Sequence, residues 1–249
     1  MIRKIIKNRE YFFWNEIKFI NKKNISFPND VLKAKLVMAP AAPALVENYD
    51  NQSYYESLRE SDFSIIDSSF FALLCRTKFI KVYKYSGYRL IQDFIDYLNR
   101  EKQTIFFIDP NENSTVLNRT FILNNTKIDE DNFHNYIAPF YDCHSKIYDA
   151  KLLEKLEFIK PRIIIIGIAG GKQELLGNYL KKNLTFTTTI LCTGAALAFF
   201  TGEQAKINYK IDKYYLGWLF RILSNRKVFL PRYLRAFKFI PIFYRHKLS

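Results

Sequence analysis

The chain has 249 residues, with 38 Lys and Arg against 24 Asp and Glu, for a formal net charge of +14. That length suits one large α/β domain or a core with an appendage rather than two equal domains, and the cationic excess points to an anionic partner. The three cysteines, Cys75, Cys143 and Cys192, form no C-x-x-C pair, which argues against a disulfide framework or a zinc site and for a reducing compartment.

The charged opening Met1-Ile2-Arg3-Lys4 lacks the apolar run of a signal peptide, so export by that route is not expected. The longest apolar stretches, Ile163 to Gly171 and Ile190 to Gly202, fall short of the roughly 18–20 residues of a spanning helix. In chain order, the hydrophobic pattern predicts strands at Lys35–Met38, Phe63–Ile66, Lys81–Tyr85, Thr104–Ile108, Thr120–Leu123, Arg162–Ile166 and Thr187–Cys192. Helical windows fall at about 44–60, 68–76, 88–101, 127–140, 149–159, 172–183 and 205–223. Four consecutive isoleucines between Pro161 and Gly167 read as a strand covered on both faces, the mark of a parallel sheet. Such alternation implies an α/β fold, a Rossmann-like, largely parallel sheet with helices on both faces.

Ligands of such sheets sit beyond the carboxyl ends of the strands, and three strand ends carry candidate chemistry. Asp67 follows Phe63–Ile66 and leads into Ser68-Ser69. It reads either as a helix N-cap or as a carboxylate exposed in the ligand crevice and able to act as general base. Gly167-Ile168-Ala169-Gly170-Gly171 holds three of the eight glycines and runs into Lys172-Gln173-Glu174. A glycine turn feeding a helix offers backbone N–H groups to a phosphate or sugar diphosphate, although it fits neither G-x-G-x-x-G nor a Walker loop and also reads as an ordinary turn. The third, Thr193-Gly194-Ala195-Ala196 through Gly202, crowds small residues that allow close backbone approach or plain core packing. His134, His144 and His246 show no ligand or triad spacing, so any chemistry rests on carboxylates, amides and cations.

From Lys213 to Ser249 the chain carries nine Lys or Arg and no Asp or Glu, interleaved with Trp218, Phe220, Phe229, Tyr233, Phe237, Phe239, Phe243 and Tyr244. Rings between cations suit an anionic lipid surface better than a bare phosphate backbone. The expected organisation is therefore a core over residues 1–204 and a basic, aromatic, helical, membrane-associating appendage over 205–249.

Taken in order, these segments resemble the WecG/TagA/CpsF glycosyltransferases, glycosyltransferase family 26, over about residues 33–235. The family's A-D-x-x-x-x-D-G looks like Ser61-Asp62-Phe63-Ser64-Ile65-Ile66-Asp67-Ser68. Its R-V-T-G-x-D-L is similar to Lys84-Tyr85-Ser86-Gly87-Tyr88-Arg89-Leu90, and its G-x-G-x-P-K-Q-E to Gly167 through Glu174. Its closing R-A-P and G-L-E-W-x-x-R-L resemble Lys206-Ile207-Asn208 and Tyr215 through Ile222. The chain departs from the family at Met38-Ala39-Pro40, where Thr-x-Asn is usual, and at Lys84, Arg89, Ala169, Gly171 and Gly217.

The resemblance implies transfer of an N-acetylmannosamine-type or related sugar from a UDP donor to a polyprenyl-diphosphate-linked acceptor, with inversion and with neither metal nor other cofactor. Such transfer builds cell-surface polymers, with the enzyme peripheral on the cytoplasmic face of the membrane. Asp67 becomes the general base. Gln173 falls in the donor pocket, Lys84, Gly170, Gly171, Lys172, Gly194 and Lys206 are further substrate-binding residues, and Arg221, Arg226 and Arg232 of the appendage meet the leaving diphosphate. Self-association is compatible with the family, and no nucleic-acid partner is expected. Two other readings stand beside this one: a catalytically silent relative acting as a scaffold in polysaccharide assembly, and a basic nucleic-acid-binding module. Cutting the chain before Lys206 is expected to leave a folded core without transfer activity.

Overall fold

The computed structural model describes residues 10–203, 219, 222–223 and 225–249. The strands are β1 (Tyr11–Trp14), β2 (Ile17–Ile20), β3 (Leu36–Met38), β4 (Phe63–Ser64), β5 (Ile105–Asp109), β6 (Phe133–Ile137), β7 (Ile163–Ile166) and β8 (Thr189–Cys192). They form one sheet in the order β1-β2-β4-β3-β8-β7-β5-β6. Every pairing is parallel except the β1–β2 hairpin. The helices are α1 (Ala42–Glu47), α2 (Gln52–Arg59), α3 (Ser69–Thr77), α4 (Gly87–Leu98), α5 (Glu112–Asn125), α6 (Ala150–Ile159), α7 (Lys172–Asn183), α8 (Ala198–Thr201), α9 (Arg226–Ala236) and α10 (Phe239–Arg245).

The isoleucine strand shows why the sheet is buried on both sides. Ile164 and Ile166 join one core layer while Ile163 and Ile165 join the other, as the period of two along a strand requires. Side chains of α1, α2, α3, α6, α7 and α10 fill the first layer. The second is filled by α4, by Ile122 of α5 and by the π-helical turn Phe27–Val31. The expected doubly covered, largely parallel α/β sheet is the fold observed. Where α7 crosses β8, a Cβ added at Gly177 would lie 2.6 Å from Cys192 Sγ and 3.0 Å from Leu36 Cδ1. Gly177→Ala is therefore expected to cost about 1–3 kcal/mol in chemical denaturation, through overpacking.

Several local expectations are corrected. Thr120–Leu123 lies inside α5, because Asn111 caps that helix by accepting from Ser114 N at 2.9 Å and the helix runs on to Asn125. The window 127–140 holds a 3-10 turn at Glu130–Asn132 and then the edge strand β6, whose Phe133 is buried while its later residues are half-buried or exposed. Lys81–Tyr85 forms no strand and pairs with none. The Asn21 side chain stands in for one there, donating to Lys81 O at 3.3 Å and accepting from Tyr83 N at 2.8 Å. The window 44–60 breaks into α1 and α2 around Asn51, which caps α2 by accepting from Tyr54 N at 3.1 Å. The 205–223 window and the 204/205 boundary lie almost entirely outside the described residues.

The end of the chain returns to its beginning. Phe13 N donates to Ser249 O at 2.8 Å and Ser249 N to Phe13 O at 3.0 Å, so the last residues cover the outer edge of β1. Phe239 and Phe243, read from sequence as lipid-facing rings, are fully buried against Trp14 and Phe71. Trp14 Nε1 also donates to Phe243 O at 3.1 Å. Truncation before Lys206 would strip this cluster, so a cut chain is expected to lose its fold together with its activity.

Candidate active site

Beyond the carboxyl ends of β4, β3, β8, β7 and β5 lies a cavity of about 520 Å³. Asp67, Gly167, Gly170, Gln173 and Gly194 all line it, so the three strand ends picked out in the sequence meet in one place.

Asp67 does not cap α3. Ser68 takes that role, its hydroxyl accepting from Phe71 N at 3.2 Å. The Asp67 carboxylate instead turns to α4, where Oδ1 accepts the Gly87 N–H at 2.7 Å. A Cβ at Gly87 would stand 3.2 Å from Ala196 Cβ and 3.5 Å from that oxygen, so a glycine keeps this wall close. Of the two readings left open for Asp67, the crevice carboxylate fits this geometry.

The turn after β7 is held from within. Gly171 adopts φ +91, and its N–H donates to Glu174 Oε2 at 2.7 Å. Lys172 N and Gln173 N both donate to Ala169 O, so these three amides are engaged inside the protein. Gln173 is a buried strut: its Oε1 accepts Gly194 N at 2.7 Å and its Nε2 donates to Glu174 Oε1 at 3.0 Å. It ties the β7 turn to the β8 turn, where Gly194 sits at φ +53. Glu174 is fully buried, and burial lifts its carboxyl to about 7 against the hydrogen bonds it accepts.

The wall beyond β5 escaped the sequence reading. Asp109 at the end of β5 is fully buried, accepting from Thr115 Oγ1 at 2.9 Å and from Asn118 Nδ2 at 2.7 Å. Burial pushes its carboxyl up to about 6, with Glu203 adding to the rise. Asn111, Ser114 and Asn118 face the cavity, and Ser114 Oγ donates to the rim carboxylate Glu203 at 2.9 Å. The strand-end rule that selected Asp67 would have selected Asp109-Pro110-Asn111 as well. The signal was present in the sequence.

Because folding raises the Asp109 pKa, the folded state holds its proton more tightly than the unfolded chain does. Its contribution to stability is thus present at low pH and lost as pH rises from about 4 through about 6. His134 and His246, whose pKa values burial lowers, act in the opposite sense. The difference between wild type and Asp109→Asn isolates the effect. Wild type is expected to lose a few kcal/mol relative to the variant across that window, as read by urea denaturation.

The other sequence candidates are spread more widely. Gly171, Lys172 and Lys84 lie outside the lining, and Lys172 Nζ stands 3.7 Å above the Phe140 ring. Arg89 pairs along α4 with Asp93 at 3.0 Å. Met38 is fully buried and Ala39 lines the cavity, so that strand end is apolar. Arg226 is exposed at the start of α9, one turn before Phe229, which lines the cavity. Lys206 and Arg221 lie outside the described residues, as does the Arg232 side chain. Among the described residues the lining includes Asp67, Glu174 and Glu203 but no Lys, Arg or His, and no cluster of three His, Cys, Asp or Glu is placed to hold a metal ion.

No curated protein sequence matches the chain. The model of the glycosyl transferase WecG/TagA/CpsF family matches residues 25–249, from the π-helical turn to the last residue. A carboxylate and two glycine turns converge on one cavity at the carboxyl edge of a parallel sheet, and the family match spans nearly the whole chain that builds it; the chain belongs to the WecG/TagA/CpsF glycosyltransferase family.

Proposed function

We propose that the protein transfers a sugar, N-acetylmannosamine or a relative, from its UDP donor to a polyprenyl-diphosphate-linked acceptor at the cytoplasmic face of a membrane. The observation that carries this reading is the meeting of Asp67 with the Gly167–Gly170 and Gly194 turns in one cavity large enough for a nucleotide sugar. Asp67 takes the proton of the acceptor hydroxyl as that oxygen bonds to the anomeric carbon. The bond from that carbon to the diphosphate oxygen breaks, and UDP leaves with the electron pair. A single displacement of this kind inverts the anomeric centre.

Among the described residues the cavity lining carries carboxylates and no cation. Charge developing on the leaving diphosphate is therefore assigned to Lys206, Arg221, Arg226 and Arg232 of the C-terminal segment, where cations act as electrostatic catalysts. Phe229 supports this assignment, since it brings α9 to the cavity wall. With an apolar end at β3, the donor's hydroxyls are met by Asn111, Ser114, Asn118 and Glu203.

Membrane contact rests on the surface of α9 and α10. Leu230 and Leu234 of α9, Phe237 of the turn that follows, and Ile240 and Tyr244 of α10 are all exposed, with Lys227, Arg235, Lys238 and Arg245 exposed among them. No helix among the described residues is long and apolar enough to cross a membrane. A surface docked beside the cavity keeps a lipid-linked acceptor within reach of Asp67. Calorimetric titration tests the donor half of the proposal. UDP is expected to bind and ADP to compete poorly, and Gly194→Val, which forces a branched side chain into a left-handed backbone, is expected to weaken UDP. Absence of UDP binding to the wild-type chain would contradict it.

A further inference from the structure

Backbone bonds carry the sheet register one step past the strands. Ala39 N donates to Cys192 O at 3.2 Å, Thr193 N to Ile166 O at 3.2 Å and Gly167 N to Ile108 O at 2.9 Å. Ala39, Thr193, Gly167 and Asp109 are therefore neighbours across the sheet. The alternation that puts Val37, Leu191, Ile165 and Phe107 in the second core layer turns this row to the same side, toward α4 and α5. Ala39, Thr193 and Asp109 are buried, whereas Gly167 is half-buried, so the row is open above its one residue without a side chain. There the cavity reaches down to Ile165 and Phe107 of the row beneath.

The notch over Gly167 has polar walls above this apolar floor. On one side Asn118 Nδ2 donates to Asp109 Oδ1 at 2.7 Å, so the amide offers the cavity its carbonyl oxygen. On the other, Thr193 lines the cavity, and its Oγ1 is buried with no hydrogen-bond partner among the described residues. The fold gains nothing from that hydroxyl, since valine would fill the same space without the desolvation cost. A turn about χ1 exchanges it with the methyl and brings it to a ligand in the notch.

We propose that the notch over Gly167 holds the acetamido group of the donor sugar, with the methyl above Ile165 and Phe107, the amide N–H on Asn118 Oδ1 and the carbonyl oxygen on the Thr193 hydroxyl. This inference rests on the nucleotide-sugar reading given above and adds the residues that select the sugar. A hydroxyl in place of the acetamido group would leave the apolar floor uncovered. A carboxylate there would face Asp109 behind the wall and Glu203 at the rim, with no cation in the lining among the described residues. Asn118 Oδ1 has two lone pairs, so the amide N–H can share it with a sugar hydroxyl.

Gly167→Ala fills the notch and leaves the fold in place. The Gly167 φ lies outside the left-handed region, and the nearest atom to an added Cβ, Ile108 O, would be 3.5 Å away. The variant is therefore expected to melt at or above the wild-type temperature. Calorimetric titration of the full chain then compares UDP, UDP-N-acetylmannosamine with UDP-mannose, and UDP-N-acetylglucosamine with UDP-glucose, each pair differing in the acetamido group alone. In the tighter-binding pair, wild type is expected to favour the acetylated donor by about tenfold or more. Gly167→Ala and Thr193→Val are each expected to lower that ratio by about fivefold or more. A ratio within about twofold of wild type in either variant overturns the inference, as does a wild type that binds both members of each pair alike, and in both cases the nucleotide-sugar reading stands. Equal weakening of UDP and of every UDP-sugar in Gly167→Ala puts the nucleotide in the notch and also overturns it. A wild-type chain that binds neither UDP nor any of the sugars overturns both.

Discussion

Asp67→Asn is expected to lower kcat by about 10²–10⁴-fold while UDP binding stays close to wild type, the size of effect associated with loss of a general base. The amide oxygen can still accept the Gly87 N–H that holds Oδ1 at 2.7 Å, so the wall between Asp67 and α4 should stay in place. What disappears is a group able to take the acceptor's proton. The loss should therefore fall on kcat and leave KM for the donor nearly unchanged, because the acceptor hydroxyl still binds but is no longer activated. Single-turnover transfer kinetics with saturating donor would measure it. A variant retaining kcat within about tenfold of wild type would remove Asp67 from the chemistry.

The second large effect is on stability. Trp14→Ala is expected to cost about 3–5 kcal/mol, at the upper end for core truncations. Trp14 is fully buried, and its ring centroid lies within 5.2–6.1 Å of those of Phe71, Phe239, Phe243 and His246. It also carries the hydrogen bond to Phe243 O, which is lost with the ring. The cluster joins the N-terminal hairpin, α3 and the last helix, so the C-terminal segment should loosen first. Urea denaturation gives the energy, and limited proteolysis between 225 and 249 shows whether that end has become accessible. Proteolytic resistance equal to wild type at that end would mean that α10 is held by other contacts.

The buried half of the fold was legible in the sequence because burial leaves a strong pattern. The four isoleucines of β7 and the apolar run of β5 can only be strands covered on both faces, and the strand-end rule then led to Asp67, Gly167 and Gly194. Marginal elements were not legible. The β1–β2 hairpin turns through Asn15 and Glu16 at φ 49 and φ 64, and with Glu where glycine is usual the turn carries no signal. The edge strand β6 fully buries only Phe133, and α5 buries just Ser114, Asn118 and Ile122, so neither displays a clear period.

The C-terminal segment shows a different limit. In α10, Phe239, Ile242 and Phe243 face the core, whereas Ile240 and Tyr244 face solvent, and both sets follow the helical spacing. A helix apolar all round does not reveal from its own sequence which side lies inside. The polar wall of Asn111, Ser114 and Asn118 was hidden for a related reason, since each of these also reads as an ordinary residue of a capped helix start.

The most direct measurement is transfer of labelled sugar from a panel of UDP-sugars to a polyprenyl-diphosphate-linked acceptor analogue, with the lipid product identified by mass. One UDP-sugar is expected to give a glycosylated lipid of inverted anomeric configuration, with UDP released only when acceptor is present and with no product from Asp67→Asn. UDP binding and vesicle docking with no transfer from any donor would contradict the assignment of catalysis and leave a non-catalytic member of the family acting at the membrane.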